Sequence, residues 1–298
     1  MTQGTKGLWE ENGQSLSYEV HGKEVCIVGQ AANSAELIIP NRIEEYPVTA
    51  IEKKAFLSRK QLKKVILSGT VRSVGDWAFA HCDKLEVIQI PHRNVELGKA
   101  VFLECGRLRS IRVADADEDT SVLLAAAVVQ ADAPYLLNLM EAGSDEWLAK
   151  WDARMLTILD SDDMDGYSKQ ILCGEEDYGS TDVTAFVHGK RMQKVRLLYT
   201  RLLHASGLED NIREQLETYL REHTLGGVSD ETWQVLLKEH PDDSAYHNLF
   251  AKLGCINEKN FEELLSRAGE EHPALRAFLL RHKSENMEKT DFFADLDL

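Results

Sequence analysis

The side chains in this 298-residue sequence with chemistry to offer are five cysteines, ten histidines and one run of aspartates. Cys82 and Cys105 occupy matching strings, A-F-x-x-C and V-F-x-x-C. Equivalent positions of a repeat stack on one another, and a buried free cysteine behaves as a small hydrophobe. No histidine or lysine recurs at a fixed spacing to lower a thiol pKa, so a structural role is expected for this pair and equally for Cys26, Cys173 and Cys255. The odd count, without metal-type spacing, excludes a disulfide framework. Among the histidines there is no H-E-x-x-H and no H-x3-H; His240 and His247 are separated by Pro241, which keeps them off one helix face. The string from Asp160 to Gly166, DSDDMDG, resembles a calcium loop only in part. With Gly166 as the invariant glycine, Ser161 takes the first ligand position and Leu172 the twelfth, where a bidentate Glu is required. An acidic turn is the expectation, and the nearby CGEEDYGS, Cys173 to Ser180, reads as a second solvated acidic loop. No G-x-S-x-G, phosphate-binding G-x-x-x-x-G-K or G-x-G-x-x-G string occurs. No catalytic residue, cofactor or metal ligand is therefore assigned.

The elements that must position these residues are repeated ones, since a period of 23 dominates the first third of the chain. Leu62, Leu85 and Leu108 open three copies; Val65, Ile88 and Ile111 follow at the same offset, then Leu67, Ile90 and Val113. The offset also relates Val74 to Leu97, Gly75 to Gly98, Phe79 to Phe102 and Cys82 to Cys105. An imperfect earlier copy, LIIPNRIEEYPVTAIEKKAF, places Ile51 and Phe56 before Val74 and Phe79. Each L-x-x-V-x-I stretch alternates as a strand with one buried face. One such coil cannot bury its apolar side alone, so copies must stack, Phe on Phe and Leu on Leu. Gly75 and Gly98 mark a backbone conformation or a close approach that a β-carbon would block, and Pro40 and Pro91 end strands. Ahead of the repeats, SLSYEVHGKEVCIVG alternates around Gly22 and predicts a β-hairpin capping the first coil.

The string I-P…V-x-x-I-G-x-x-A-F-x-x-C-x-x-L resembles the BspA-like leucine-rich repeat of bacterial and some protist proteins, over residues 37–113. The resemblance implies a short solenoid used for recognition, often on secreted or surface-anchored proteins. It does not specify a function.

Beyond the repeats the character changes. Residues 1–113 carry a net charge of +3 and residues 114–298 one of −19, which marks two modules and argues against nucleic acid as a partner of the second. The division is placed at an acidic hinge, 114–120 (ADADEDT), with a repeat domain over 1–113 and a helical domain over 121–298. Met192, Val195, Leu198, Tyr199, Leu202 and Leu203 line one face of a helix from about Thr184 to His204. Ile212, Leu216, Tyr219 and Leu220 make another, and Trp233, Leu236 and Leu237 a third. Asn257 and His272, the latter before Pro273, read as helix starts, and seven or eight helices are expected. The stretch from Tyr246 to Lys283 is faintly similar to ankyrin-like helical hairpins through A-K-L-G, E-E-L-L and A-F-L-L, without the T-P-L-H turn. The tail EKTDFFADLDL, with Phe292 and Phe293, reads as frayed.

The fold class expected is α+β: a leucine-rich-repeat β-solenoid of about three coils with a hairpin cap, then an all-α domain. The function expected is a non-catalytic scaffold or adaptor that binds a protein partner through the exposed sheet face of the repeats, the acidic helical domain or both, with no nucleic acid and no membrane. The longest apolar run, VLLAAAVV from Val122 to Val129, is too short to cross a bilayer. A cytoplasmic location is expected, or a secreted or surface one if a signal has been removed. The interaction surface expected is the exposed sheet face, in two columns: Lys64, Val87 and Ser110, then Ile66, Gln89 and Arg112. The alternatives are an enzyme or small-ligand sensor with its pocket in the helical half, and a surface adhesin.

Overall fold

The computed structural model describes residues 5–30, 34–167 and 182–287. The chain divides into two compact units at Met155–Leu156, and its class is α+β: a β-solenoid followed by helices.

The first unit opens with an antiparallel meander, β1 (Thr5–Glu11), β2 (Gln14–His21) and β3 (Glu24–Gln30). The expected hairpin is β2–β3, turning at Gly22 with φ +67°. Strand β1 is an addition that the alternation around Gly22 does not reveal. Its turn, Asn12-Gly13, has φ of +51° and +76°, the paired positive values a tight two-residue hairpin needs. Parallel strands then stack on the meander. One sheet runs β1-β2-β3-β6-β8-β10, with β6 at Tyr46–Ile51, β8 at Ser73–Val74 and β10 at Glu96–Leu97; the short β5 (Arg42–Ile43) pairs with β6 at its side. The other is all parallel: β4 (Glu36–Ile38), β7 (Lys64–Ile66), β9 (Val87–Ile90) and β11 (Ser110–Val113). Val65 pairs with Ile88 and Ile88 with Ile111, so the sequence period is realised as strand register. An earlier rung pairs Leu37 with Val65 across a longer loop, so the array has four rungs.

Stacking fills the interior as the repeat requires. Leu37, Val65, Ile88 and Ile111 are fully buried, as are Leu62, Leu85, Phe56 and Phe79. The rings of Phe56, Phe79 and Phe102 stack with centroids 5.2 and 6.1 Å apart. Gly75 and Gly98 serve close approach: a β-carbon on Gly75 would lie 2.5 Å from the Lys53 nitrogen, and one on Gly98 2.6 Å from that of Asp76. On the turn side, each coil donates backbone hydrogen bonds to the next. The N–H groups of Lys54, Phe56 and Ser58 reach the carbonyls of Asp76, Ala78 and Ala80 at 2.8–2.9 Å, and those of Trp77, Phe79 and His81 reach Lys99, Val101 and Leu103 at 2.7–3.1 Å. Lys54, Trp77 and Ala100 all hold positive φ, as do Ser58, His81 and Glu104, so the coil shape recurs whatever the side chain.

The acidic stretch 114–120 lies inside this first unit. Asp117 caps helix α1 (Glu118–Val129), accepting the Thr120 N–H at 2.7 Å. The apolar VLLAAAVV run forms the body of α1, which packs on β11 with Leu123, Leu124 and Ala125 buried. A 3-10 turn (Pro134–Leu136) and α2 (Asp145–Asp160) follow. Two buried tryptophans of α2 bind the preceding backbone, Trp151 Nε1 to the Leu123 carbonyl at 3.1 Å and Trp147 Nε1 to that of Leu136 at 2.9 Å.

The second unit is built on α3 (Val183–Leu203), capped by Asp182 and contacted by α4 (Asp210–Glu222), α5 (Glu231–Glu239) and α6 (Ser244–Lys252). Helices α7 (Phe261–Ala268) and α8 (Pro273–Asn286) pair with each other. That makes eight α-helices among the described residues of the two units. Met192, Val195, Leu198, Tyr199 and Leu202 form the buried face of α3, as their spacing predicts, and Leu216, Leu220, Trp233 and Leu236 are buried in α4 and α5. His272 does precede a helix beginning at Pro273. The start expected at Asn257 falls at Asn260 instead. The Asn260 side-chain amide donates to the carbonyls of Leu225 and Cys255 at 3.0 and 2.9 Å, and its oxygen accepts from the Asn257 N–H. Among the described residues, no helix is long and apolar enough to cross a membrane. The 173–180 loop and the tail with Phe292 and Phe293 lie outside the described residues.

Candidate interaction surface

The residues singled out for their chemistry resolve into structural roles. Cys82 donates to the Phe56 carbonyl at 3.2 Å and Cys105 to that of Phe79 at 3.1 Å, one bond per coil. Burial pushes the Cys82 thiol up to about 11 and the Cys105, Cys26 and Cys255 thiols up to about 12. Such groups stay protonated and unreactive at neutral pH. Cys173 lies outside the described residues. His240 ends α5 and stacks on Tyr246, with centroids 3.6 Å apart, while His247 on α6 bonds the Pro241 carbonyl. Burial lowers the pKa of both. Among the described residues, no three His, Cys, Asp or Glu side chains gather as a metal site.

The run from Asp160 to Gly166 is an ion-pair station. Asp163 accepts from Arg191 Nε at 2.7 Å and from Lys194 Nζ at 2.9 Å; Lys194 also bonds the Ser161 carbonyl at 2.6 Å. Burial would raise the Asp163 pKa, but the hydrogen bonds from Lys194 and Arg191 outweigh it and hold the carboxyl below its ordinary value. Near this pair the second unit carries a further polar group: Glu231, almost wholly buried, bonds His188 Nδ1 at 3.0 Å through one oxygen. Among the described residues, its other oxygen and the Tyr219 hydroxyl are buried without a hydrogen-bond partner. Nothing in the spacing of these residues signals the cluster, because its members come from separate elements.

On the four-stranded parallel sheet, register sets out the expected columns and extends each by one rung. The first runs Glu36, Lys64, Val87, Ser110 and the second Ile38, Ile66, Gln89, Arg112. Lys64 is half-buried and pairs with Glu36 at 2.8 Å; Val87, Ile66 and Gln89 are half-buried, and Arg112 is exposed. Ser110 is only 4% exposed, so its side chain is not open to a partner. The first column therefore offers an ion pair and one valine. The second is exposed at its two ends, Ile38 (44% exposed) and Arg112, with Ile66 and Gln89 half-buried between them. Ile38 sits in the imperfect first copy, and only the longer first step of the array brings it beside Ile66.

Residues 31–120 match the family described as "BspA type Leucine rich repeat region (6 copies)", so the solenoid is of that repeat type. No curated protein matches the chain. Solved structures similar to it include the T. pallidum leucine-rich repeat protein, at 24% identity and a TM-score of 0.27, over 36% of this chain and 46% of that one. Another is a leucine-rich repeat protein from Bacteroides ovatus, at 27% identity and a TM-score of 0.28, over 37% of this chain and 28% of that one. The pneumococcal vaccine antigen PcpA is similar at 17% identity and a TM-score of 0.27, over 37% of this chain and 38% of that one. The chain thus spans less than half the length of each.

Proposed function

We propose that this chain is a non-catalytic interaction module that binds a protein through the exposed face of its four-stranded parallel sheet. The observation that carries the reading is the second column, where two adjacent isoleucines, Ile38 and Ile66, lead through Gln89 to the exposed cation Arg112. An apolar anchor beside a polar end suits a small recognition patch on a rigid sheet. The ion pair of Lys64 and Glu36 borders it, and Val87 lies on the same strand as Gln89.

The test uses the full chain with a photo-crosslinker at Gln89, exposed to lysate, and a double variant, Ile66→Asp with Arg112→Glu. Loss of the crosslinked partner in the variant, with the melting temperature nearly unchanged, supports the reading. Undiminished capture by the variant moves the site off this face.

A second reading, ligand binding in the helical half, is favoured by the Glu231 oxygen and the Tyr219 hydroxyl, which lack a partner among the described residues. A polar group buried without a partner costs about 1–3 kcal/mol, which a ligand donor would recover. Thermal shifts across a small-metabolite panel, lost in Glu231→Gln, would support it; a panel without shifts would remove it.

A further inference from the structure

We propose that the open end of the repeat array, on the turn side of the last coil, binds a basic peptide that adopts the turned shape of a coil and continues the coil-to-coil hydrogen-bond ladder. In the two preceding coils, three alternate N–H groups each find carbonyls on the coil above. One period further on, the equivalent donors are Ala100, Phe102 and Glu104. There is no coil above them, because the chain enters α1, and among the described residues none of these three N–H groups has a partner. The Leu97 carbonyl, equivalent to the Ile51 and Val74 carbonyls that accept from Gly75 and Gly98, is likewise unclaimed.

These groups line a cavity of about 830 Å³ in the first unit, walled by Leu97, Leu103, Val128, Val129, Tyr135 and Leu137. Its size is that of a binding pocket rather than a packing defect. Alternate donors select alternate carbonyls, and in the coils those carbonyls sit on a turned segment, with the Ala78 N–H on the Gly75 carbonyl and the Ala80 N–H on that of Trp77, so the occupant is a peptide turned in the same way. Charge selects the sign of the occupant: Asp76, Glu104 and Asp132 also line the cavity, against Lys99 alone. Anions are disfavoured and a basic segment with an apolar side chain is preferred. The left-handed backbone at Ala100 and Glu104 matches that of the donor residues in the coils below, so the ladder end is already in its bound shape.

The probe is a synthetic peptide with the sequence of residues 50–60 of this chain, AIEKKAFLSRK, whose parent segment is a coil of this array. Amide hydrogen exchange and nitrogen-15 NMR on the full chain supply the readout. In the free protein, Ala100 and Glu104 should exchange rapidly while Phe56 and Phe79 stay protected. Adding peptide should slow exchange at Ala100 and Glu104 roughly tenfold and move their N–H resonances downfield. Asp132→Lys should weaken the peptide about fivefold, whereas Ile66→Asp with Arg112→Glu should leave it unchanged, which separates this site from the sheet face. Protection of both amides without peptide, or none gained at about 1 mM peptide, overturns the proposal. So does occupation of the cavity by an apolar dye with neither amide affected, which would make it a small-molecule pocket.

Discussion

The solenoid and the helical unit solve the problem of burying polar backbone and apolar side chains in opposite ways. In the solenoid one solution is copied from coil to coil: a Phe on a Phe, a thiol on a carbonyl, alternate N–H groups on the coil above. In the helical unit the contacts of Asp163, Asn260 and Arg201 are not copied from element to element. Asp163 holds Arg191 and Lys194, Asn260 ties two carbonyls, and Arg201, wholly buried, donates to the carbonyls of His204 and Ser206. Copied contacts can be read as a period. Single contacts are as tight, yet they leave no period behind.

The largest effect should come from breaking the copy in its middle. Phe79→Ala removes a ring stacked on both sides and should cost about 4 kcal/mol. Phe102→Ala, stacked on one side only, should cost measurably less by chemical denaturation; equal losses would deny that stacking sets the cost. Next comes the single contact. Asp163→Asn strips the charge facing Lys194, whose side chain is 6% exposed, and should cost about 3 kcal/mol. An unchanged denaturation midpoint would make the station ornamental. Gly98→Ala, which drives a β-carbon into Asp76, should cost about 2 kcal/mol. Gly106→Ala, in the same unit with open space around it, should be near neutral, and the pair should be separated in thermal melts.

The smallest effect concerns acid. Burial holds His240 and His247 below the ordinary value of 6.5, so the unfolded chain takes up protons first as pH falls. Their contribution is intact above pH 6.5 and is lost as pH drops from there toward the folded values. The melting temperature should therefore decline from about pH 7 to 6. That slope should flatten in the double variant His240→Phe with His247→Phe; an unaltered slope would place the acid sensitivity elsewhere.

Legibility in the sequence follows the same division. The core columns, the glycine approaches and the order of both surface columns follow from the repeat offset, because register in a parallel stack is that offset. Alternation assigns Ser110 to the open face, whereas the fold buries its side chain. Ile38 escapes the repeat reading because its rung is displaced by more than one period. The Asn12-Gly13 turn carries a signal for β1 that the weakly apolar TKGLWEE strand obscures. In the helical unit the faces of α3, α4 and α5 are legible from apolar spacing. The partners of Asp163, 28 and 31 residues away on α3, have no periodic mark. An acidic run without visible partners is indistinguishable, in sequence, from a solvated turn.

The meander on which the coils stack sets an order of assembly. Pairing β2 with β3 closes only the tight turn between His21 and Glu24, whereas each added coil must bring together residues a full period apart. Loop-closure entropy makes the second step costlier by roughly 2 kcal/mol before any burial compensates. Folding should therefore begin at the N-terminal strands and advance coil by coil, each finished edge templating the next. That is also the direction in which a ribosome delivers the chain, so every coil would find its template already built when it emerges.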